Sequence, residues 1–103
     1  MSNISIKDAV VFVTGANRGI GRAIAKEAIA RGARRVYAAA RDVAGLDDLL
    51  SQHPEQVVAV KLDVTNGQQI QEAAKQAGDV QILINNAGVA GFSGFLYHYE
   101  QEA

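Results

Sequence analysis

Residues 10–21, VVFVTGANRGIG, limit what this chain can fold into more than any other stretch. Residues 10–14 are apolar or β-branched throughout and carry no charge, which predicts a buried strand. Gly15, Gly19 and Gly21 follow at once, and a helical pattern opens at Ile20. A buried strand, a glycine turn and a helix together make the arrangement that holds the phosphates of a dinucleotide. Gly15 permits a sharp turn off the strand, Gly19 a close approach of backbone to an anion, and Gly21 close packing of the helix on the strand. Free N–H groups of the first helical turn then face the anion, and the helix dipole adds to the attraction. The spacing is G-x-x-x-G-x-G rather than the more common G-x-G-x-x-G.

Downstream, the hydrophobic pattern alternates between helix and strand. Ile20, Ala23, Ile24, Ala28 and Ile29 fall on one face of the first helix, and Gly32 is placed to stop it. Residues 35–40, RVYAAA, read as a second strand: alanine is a weak strand former, but the strand–helix alternation puts them in the sheet. Leu46, Leu49 and Leu50 mark a short helix, which ends at His53-Pro54 because the residue before proline is pushed out of the helical region. Residues 57–62 form the third strand. Residues 65–68, TNGQ, fit a capping box in which the Thr65 hydroxyl and the Gln68 side chain each satisfy a free N–H. A third helix follows, with Ile70, Ala73, Ala74 and Ala77 as its apolar face and Gly78 as its stop. Residues 80–84 are the fourth strand, and residues 89–103 show no period. The expected fold is α/β: a Rossmann-like parallel sheet with helices on both faces, three layers in all. At 103 residues it makes one domain spanning the whole chain.

Three motifs, in order, resemble those of the short-chain dehydrogenase/reductases. Thr14-Gly15-Ala16-Asn17-Arg18-Gly19-Ile20-Gly21 is similar to that family's cofactor-binding motif, Asp63-Val64-Thr65 matches another, and Asn85-Asn86-Ala87-Gly88 a third. The resemblance covers nearly the whole chain but only the first part of a family member. It implies strand order 3-2-1-4, truncated relative to the full family fold, with the ligand at the carboxyl ends of the strands beside the switch point.

The resemblance also implies a cofactor. A carboxylate ending the second strand would hold the adenosine ribose hydroxyls and favour NAD. Here Ala40 stands there, followed by Arg41. Family members that look like this hold the 2′-phosphate of NADP with one arginine in the glycine turn and one after the second strand. Arg18 and Arg41 take those places, and the planar fork of arginine meets phosphate oxygens bidentately. NADP is therefore expected, with Asp42 keeping NAD as the less favoured alternative. In the family the residue matching Asp63 approaches the adenine ring with the neighbour matching Val64 beside it, and the Asn-Asn-Ala-Gly backbone lines the cofactor's path. The expected cofactor-binding set is Gly15, Asn17, Arg18, Gly19, Ile20, Gly21, Arg41, Asp63, Val64, Asn85, Ala87 and Gly88.

The family's chemistry moves hydride between NADP(H) and a carbonyl or alcohol, with a tyrosine, its pKa lowered by a lysine, as proton donor. The Tyr-x-x-x-Lys signature is missing here: Tyr97 is followed four residues later by Gln101, and Tyr99 by Ala103. Tyr37 precedes Arg41 by four, but on a strand that puts them about 13 Å apart. Ser93 follows the Asn-Asn-Ala-Gly motif too soon to match the family's serine. No catalytic residue is carried over. Two readings follow: the NADP-binding part of an oxidoreductase, not catalytic alone, or a dinucleotide-binding or self-associating module without redox chemistry.

Composition narrows the partners. The chain has no cysteine, so disulfides and thiolate chemistry are excluded, and His53 and His98 lack metal-ligand spacing, so no metal is expected. No run of 18 apolar residues and no signal peptide occurs, which predicts a cytoplasmic protein without a membrane partner. The net charge of −1 hides an asymmetry: residues 1–41 hold eight Lys or Arg against Asp8 and Glu27, a positive field suited to a polyphosphate. Arg34-Arg35 is too short a basic run for nucleic acid. In the implied strand order, Ile82, Leu83 and Ile84 form an edge with no charge to blunt it. Self-association through this strand or the aromatic tail, giving a homo-oligomer, is the expectation.

Overall fold

The computed structural model describes residues 5–86. Among them run β1 (Val10–Val13), α1 (Gly19–Ala30), β2 (Arg35–Ala40), a 3-10 turn (Val43–Leu46), α2 (Asp47–Gln52), β3 (Val57–Lys61), α3 (Gly67–Gln76) and β4 (Ile82–Ile84). The four strands make one parallel sheet in the order β3-β2-β1-β4, the order that the family resemblance implies. In its register Val13 lies beside Ala38 on one side and Ile84 on the other.

β1 is the central strand, and all four of its residues are fully buried. Their side chains alternate between two cores, following the period of two along a strand. Val11 and Val13 join Val36, Ala38 and Ala40 of β2 against Ala25, Ala28 and Ile29 of α1 and Leu46 and Leu49 beneath the 3-10 turn and α2. Val10 and Phe12 join Tyr37, Ala39 and Val60 against Ile70, Ala73 and Ala77 on the α3 side. The Phe12 and Tyr37 rings stack with centroids 5.9 Å apart. Ala38, Ala39 and Ala40 are buried between strands and helices, so burial in the sheet outweighs the helical leaning of an alanine run. β4 is the outer strand on its side among the described residues, and its three residues are half-buried.

Two local expectations are corrected. The buried face of α1 is Gly21, Ala25, Ala28 and Ile29, with Ile24 half-buried; Ala23 is exposed and Ile20 is 71% exposed. Spacing alone puts Ile20 and Ala23 on the apolar face, but the helix rotates to set glycine, the smallest residue, against the turn. The helix then ends as expected at Gly32 (φ 84°), whose N–H bonds the Ile29 carbonyl while the Ala33 N–H bonds that of Ala28. The second correction concerns α3. Its cap is Asn66, whose side-chain oxygen accepts from the Gln69 N–H at 3.1 Å. Gln69 reaches back to accept from the Asp63 N–H at 2.7 Å, while the Thr65 hydroxyl donates to Asp63 Oδ1 at 2.6 Å. The cap is thus shifted one residue from Thr65 to Asn66, because Asp63 claims the threonine, and the glutamine closes on the Asp63 N–H rather than on that of the cap residue.

Polar side chains close the amino ends of the strands. Arg35 Nη1 donates to Asp79 Oδ2 at 2.7 Å and the Tyr37 hydroxyl donates to Asp79 Oδ1 at 2.8 Å, tying β2 to the connection before β4. The Val10 N–H donates to Gln81 Oε1, and Gln56 Nε2 donates to the Ala33 carbonyl, both at 3.0 Å. Burial, then the bond to Asp79, raises the Tyr37 pKa above the ordinary phenol value.

Candidate dinucleotide site at the carboxyl ends of the strands

At the opposite end the sheet opens into a cleft of about 780 Å³. One wall is the glycine turn, with Gly15, Asn17, Arg18, Gly19 and Ile20. Ala40, Arg41 and Asp42 at the end of β2 and Leu62, Asp63, Val64 and Thr65 after β3 make the other, and Asn86 beyond β4 closes it. The turn is fastened from both sides. The Ala16 N–H bonds the Ala39 carbonyl at 2.9 Å, and the buried Thr14 bonds across to β4 through its N–H to the Ile84 carbonyl and its hydroxyl to Asn85 Oδ1 at 3.2 Å.

Gly15 and Gly19 both adopt positive φ, 62° and 60°, where a side chain would be strained. A Cβ on Gly19 would meet nothing within 4 Å, so its backbone lies bare toward the cleft. Gly21 is required for space: a Cβ there would collide with the Gly15 carbonyl. The packing it permits is against the turn itself rather than against β1.

The amino end of α1 carries no cap. Arg18 precedes it in extended conformation (φ −163°) without a side-chain bond to the first turn, and that turn holds no acidic residue. The exposed guanidinium groups of Arg18 and Arg41 form no hydrogen bond or ion pair with any described residue, whereas those of Arg22, Arg31 and Arg35 pair with Asp48, Glu27 and Asp79. The carboxylates nearby are engaged. Asp42 Oδ1 accepts from the Ala44 N–H at 3.0 Å and caps the 3-10 turn. Asp63 Oδ1 accepts from both the hydroxyl and the N–H of Thr65, and these bonds, with the charge of Arg41, lower its pKa. Bare glycine backbone, an uncapped helix terminus and two unpaired guanidiniums in one cleft suit a phosphate-bearing ligand. Among the described residues, no group of His, Cys, Asp or Glu is placed to hold a metal, and no helix is long and apolar enough to cross a membrane.

Of the expected residues, Gly15, Asn17, Arg18, Gly19, Ile20, Arg41, Asp63 and Val64 line this cleft. Gly21 sits behind the turn, and Asn85 is turned to Thr14. Ala87 and Gly88 lie outside the described residues, as do His98, Ser93 and the aromatic tail. Leu62 and Thr65 line the cleft although the expected set leaves them out, and Asn86 lines it as part of the Asn-Asn-Ala-Gly stretch. Asn85 and Asn86 are identical side chains in neighbouring positions, so only the hydrogen bond from Thr14 tells which of the two faces inward.

The profile of the short chain dehydrogenases matches residues 9–103. Over 99 residues the chain is 39% identical to L-rhamnose 1-dehydrogenase (NAD(P)(+)) of Azotobacter vinelandii, covering 86% of this chain and 39% of that protein. It is 39% identical over 97 residues to human retinol dehydrogenase 12, covering 85% of this chain and 30% of that one. A short chain dehydrogenase from Burkholderia cenocepacia, crystallised in complex with NADP, superposes with a TM-score of 0.76 at 42% identity, over 84% of this chain and 35% of that one. The chain therefore spans between 30% and 39% of the length of these three proteins. With the profile covering all but the first eight residues, and with fold and sequence agreeing, the chain belongs to the short chain dehydrogenase family.

Proposed function

We propose that these residues form the NADP-binding part of a short-chain oxidoreductase that moves hydride between NADP(H) and a carbonyl or alcohol. The observation that carries this reading is the pair of unpaired arginines at the cleft, beside a carboxylate, Asp42, already engaged elsewhere. The first-turn amides of α1 and the bare Gly19 backbone would take the diphosphate. Arg18 and Arg41 would grip the 2′-phosphate, and Asp63 and Val64 would border the adenine. The cofactor supplies the hydride. Residues 1–103, read as one nucleotide-binding domain working in the cytoplasm, contain no Tyr-x-x-x-Lys and would supply no proton donor.

A charge-assisted bond to the 2′-phosphate is worth about 1.5–3 kcal/mol, or about ten- to a hundredfold in affinity. Calorimetry should show NADP binding tighter than NAD by that order, with Arg41→Ala removing most of the difference. Equal affinities, or an unchanged ratio in R41A, would refute the assignment. The chain alone should not oxidise NADPH with a panel of ketones, and steady turnover would count against a purely binding role.

A second reading, self-association through the β4 edge, draws support from the half-buried Ile82, Leu83 and Ile84 on the outer strand. Sedimentation across a concentration series should show mass rising with concentration. A monomer throughout would remove this reading and leave the first intact.

A further inference from the structure

Asp42 stands one residue beyond Arg41, on the cleft wall, where a carboxylate would be available to ribose hydroxyls. Its Oδ1 is instead bonded to the Ala44 N–H at 3.0 Å, and its own carbonyl accepts from the Gly45 N–H at 3.2 Å. The 3-10 turn so capped lies directly on the glycine turn. A Cβ on Gly45 would come within 3.0 Å of Asn17 Cβ, a contact that forces the neighbour to give way. Leu46, fully buried under the same turn, pins it to the core. Asn17 is next to Arg18, and Asp42 is next to Arg41. The two arginines therefore flank two turns that touch at Gly45 and Asn17, one of them held in shape by the Asp42 cap.

We propose that Asp42 and Gly45 are positioning residues for the 2′-phosphate. The Asp42 cap and the Gly45–Asn17 contact together hold Arg41 and Arg18 at a fixed spacing, and the cap withdraws the Asp42 carboxylate from the ribose hydroxyls. This rests on the NADP reading above and adds to it the elements that set the preference. Asparagine caps as well as aspartate. The cap thus survives Asp42→Asn and is lost in Asp42→Ala, whereas a carboxylate acting directly on ribose would be lost in both.

The test is calorimetric titration of the full chain with 2′,5′-ADP and with 5′-AMP, which differ by the phosphate in question. The wild type, D42N, D42A and G45A are compared, with thermal melts to confirm folding. D42A is expected to weaken 2′,5′-ADP by about fivefold, the equivalent of losing one cap, with 5′-AMP changed far less. G45A, which leaves Asp42 and every charge in place, is expected to act in the same direction. D42N is expected to retain the wild-type preference. A general loosening of the fold would lower both affinities together and would overturn the proposal. D42N and D42A weakening binding equally, in a wild-type background that does prefer 2′,5′-ADP, would overturn the positioning role alone. A wild type that binds the two nucleotides equally would defeat the NADP reading and the positioning role together.

Discussion

The two ends of the sheet treat their polar groups in opposite ways. At the amino ends, Arg35 and Tyr37 share Asp79, Gln81 completes the β1–β4 ladder by accepting from Val10, and Gln56 closes on Ala33. At the carboxyl ends, α1 begins without a cap, Gly19 presents open backbone, and the Arg18 and Arg41 guanidinium groups have no hydrogen-bond or ion-pair partner among the described residues. The difference is local as well as global, since α3 is capped by Asn66 at the same end of the sheet where α1 is not. An unsatisfied helix terminus is costly in a folded protein unless water or a ligand completes it. The end left open is the one with phosphate-binding chemistry, and the end closed with side chains is the one that holds the strands in register.

If that division is right, substitutions at the two ends separate stability from binding. The largest effect is expected at Gly21, where the two properties meet. Gly21→Ala drives a methyl into the Gly15 carbonyl, which cannot move without opening the turn. Overpacking of this kind costs up to about 3 kcal/mol, and denaturant titration should show that loss together with loss of nucleotide binding. Asp79→Ala comes next. It strips the acceptor from the part-buried Tyr37 hydroxyl and should cost about 1 kcal/mol, while the affinity of the folded fraction for NADP stays at wild type. A parallel loss of affinity would show that the ends are coupled and would break the comparison. Asn66→Ala should cost about 1 kcal/mol, the usual worth of an N-cap, again without changing affinity.

The amino end also has a pH signature. Burial first, and then the bond to Asp79, keep the Tyr37 pKa above its unfolded value. Its contribution to stability is therefore fully present below the unfolded phenol pKa and is lost as pH rises through the higher folded one. Stability followed through the alkaline range should fall in the wild type and fall less in Tyr37→Phe. Asp63 works in the other direction: held below its usual pKa by Thr65, it contributes above the unfolded carboxylate value and loses that contribution in acid.

Much of this arrangement is legible in the sequence, and the reason is physical. The apolar strand followed by three glycines admits few folds, and the strand order follows from the family resemblance and is found in the structure. The places of Arg18 and Arg41 at the cleft are legible because each is fixed by its position in the chain relative to the turn and to β2. What was not readable depends on contacts between distant residues. The triad of Arg35, Tyr37 and Asp79 joins positions 44 apart, and no local pattern announces it. Helical spacing puts Ile20 on the apolar face because it ignores rotation about the axis, which here is set by the packing of Gly21 on Gly15. The α3 cap slipped by one residue because Thr65 and Asn66 are both good caps, and only the carboxylate of Asp63 decides between them.

The division between an open and a closed end can be read directly by titrating NADP into the isotopically labelled chain and following backbone amide shifts. Perturbations are predicted at Gly15, Gly19, Ile20, Arg41, Asp42, Val64 and Asn86, with Val10, Arg35, Gln56 and Asp79 unmoved. Shifts that centre on the amino ends, or a titration that leaves the glycine turn and Arg41 unchanged, would contradict it.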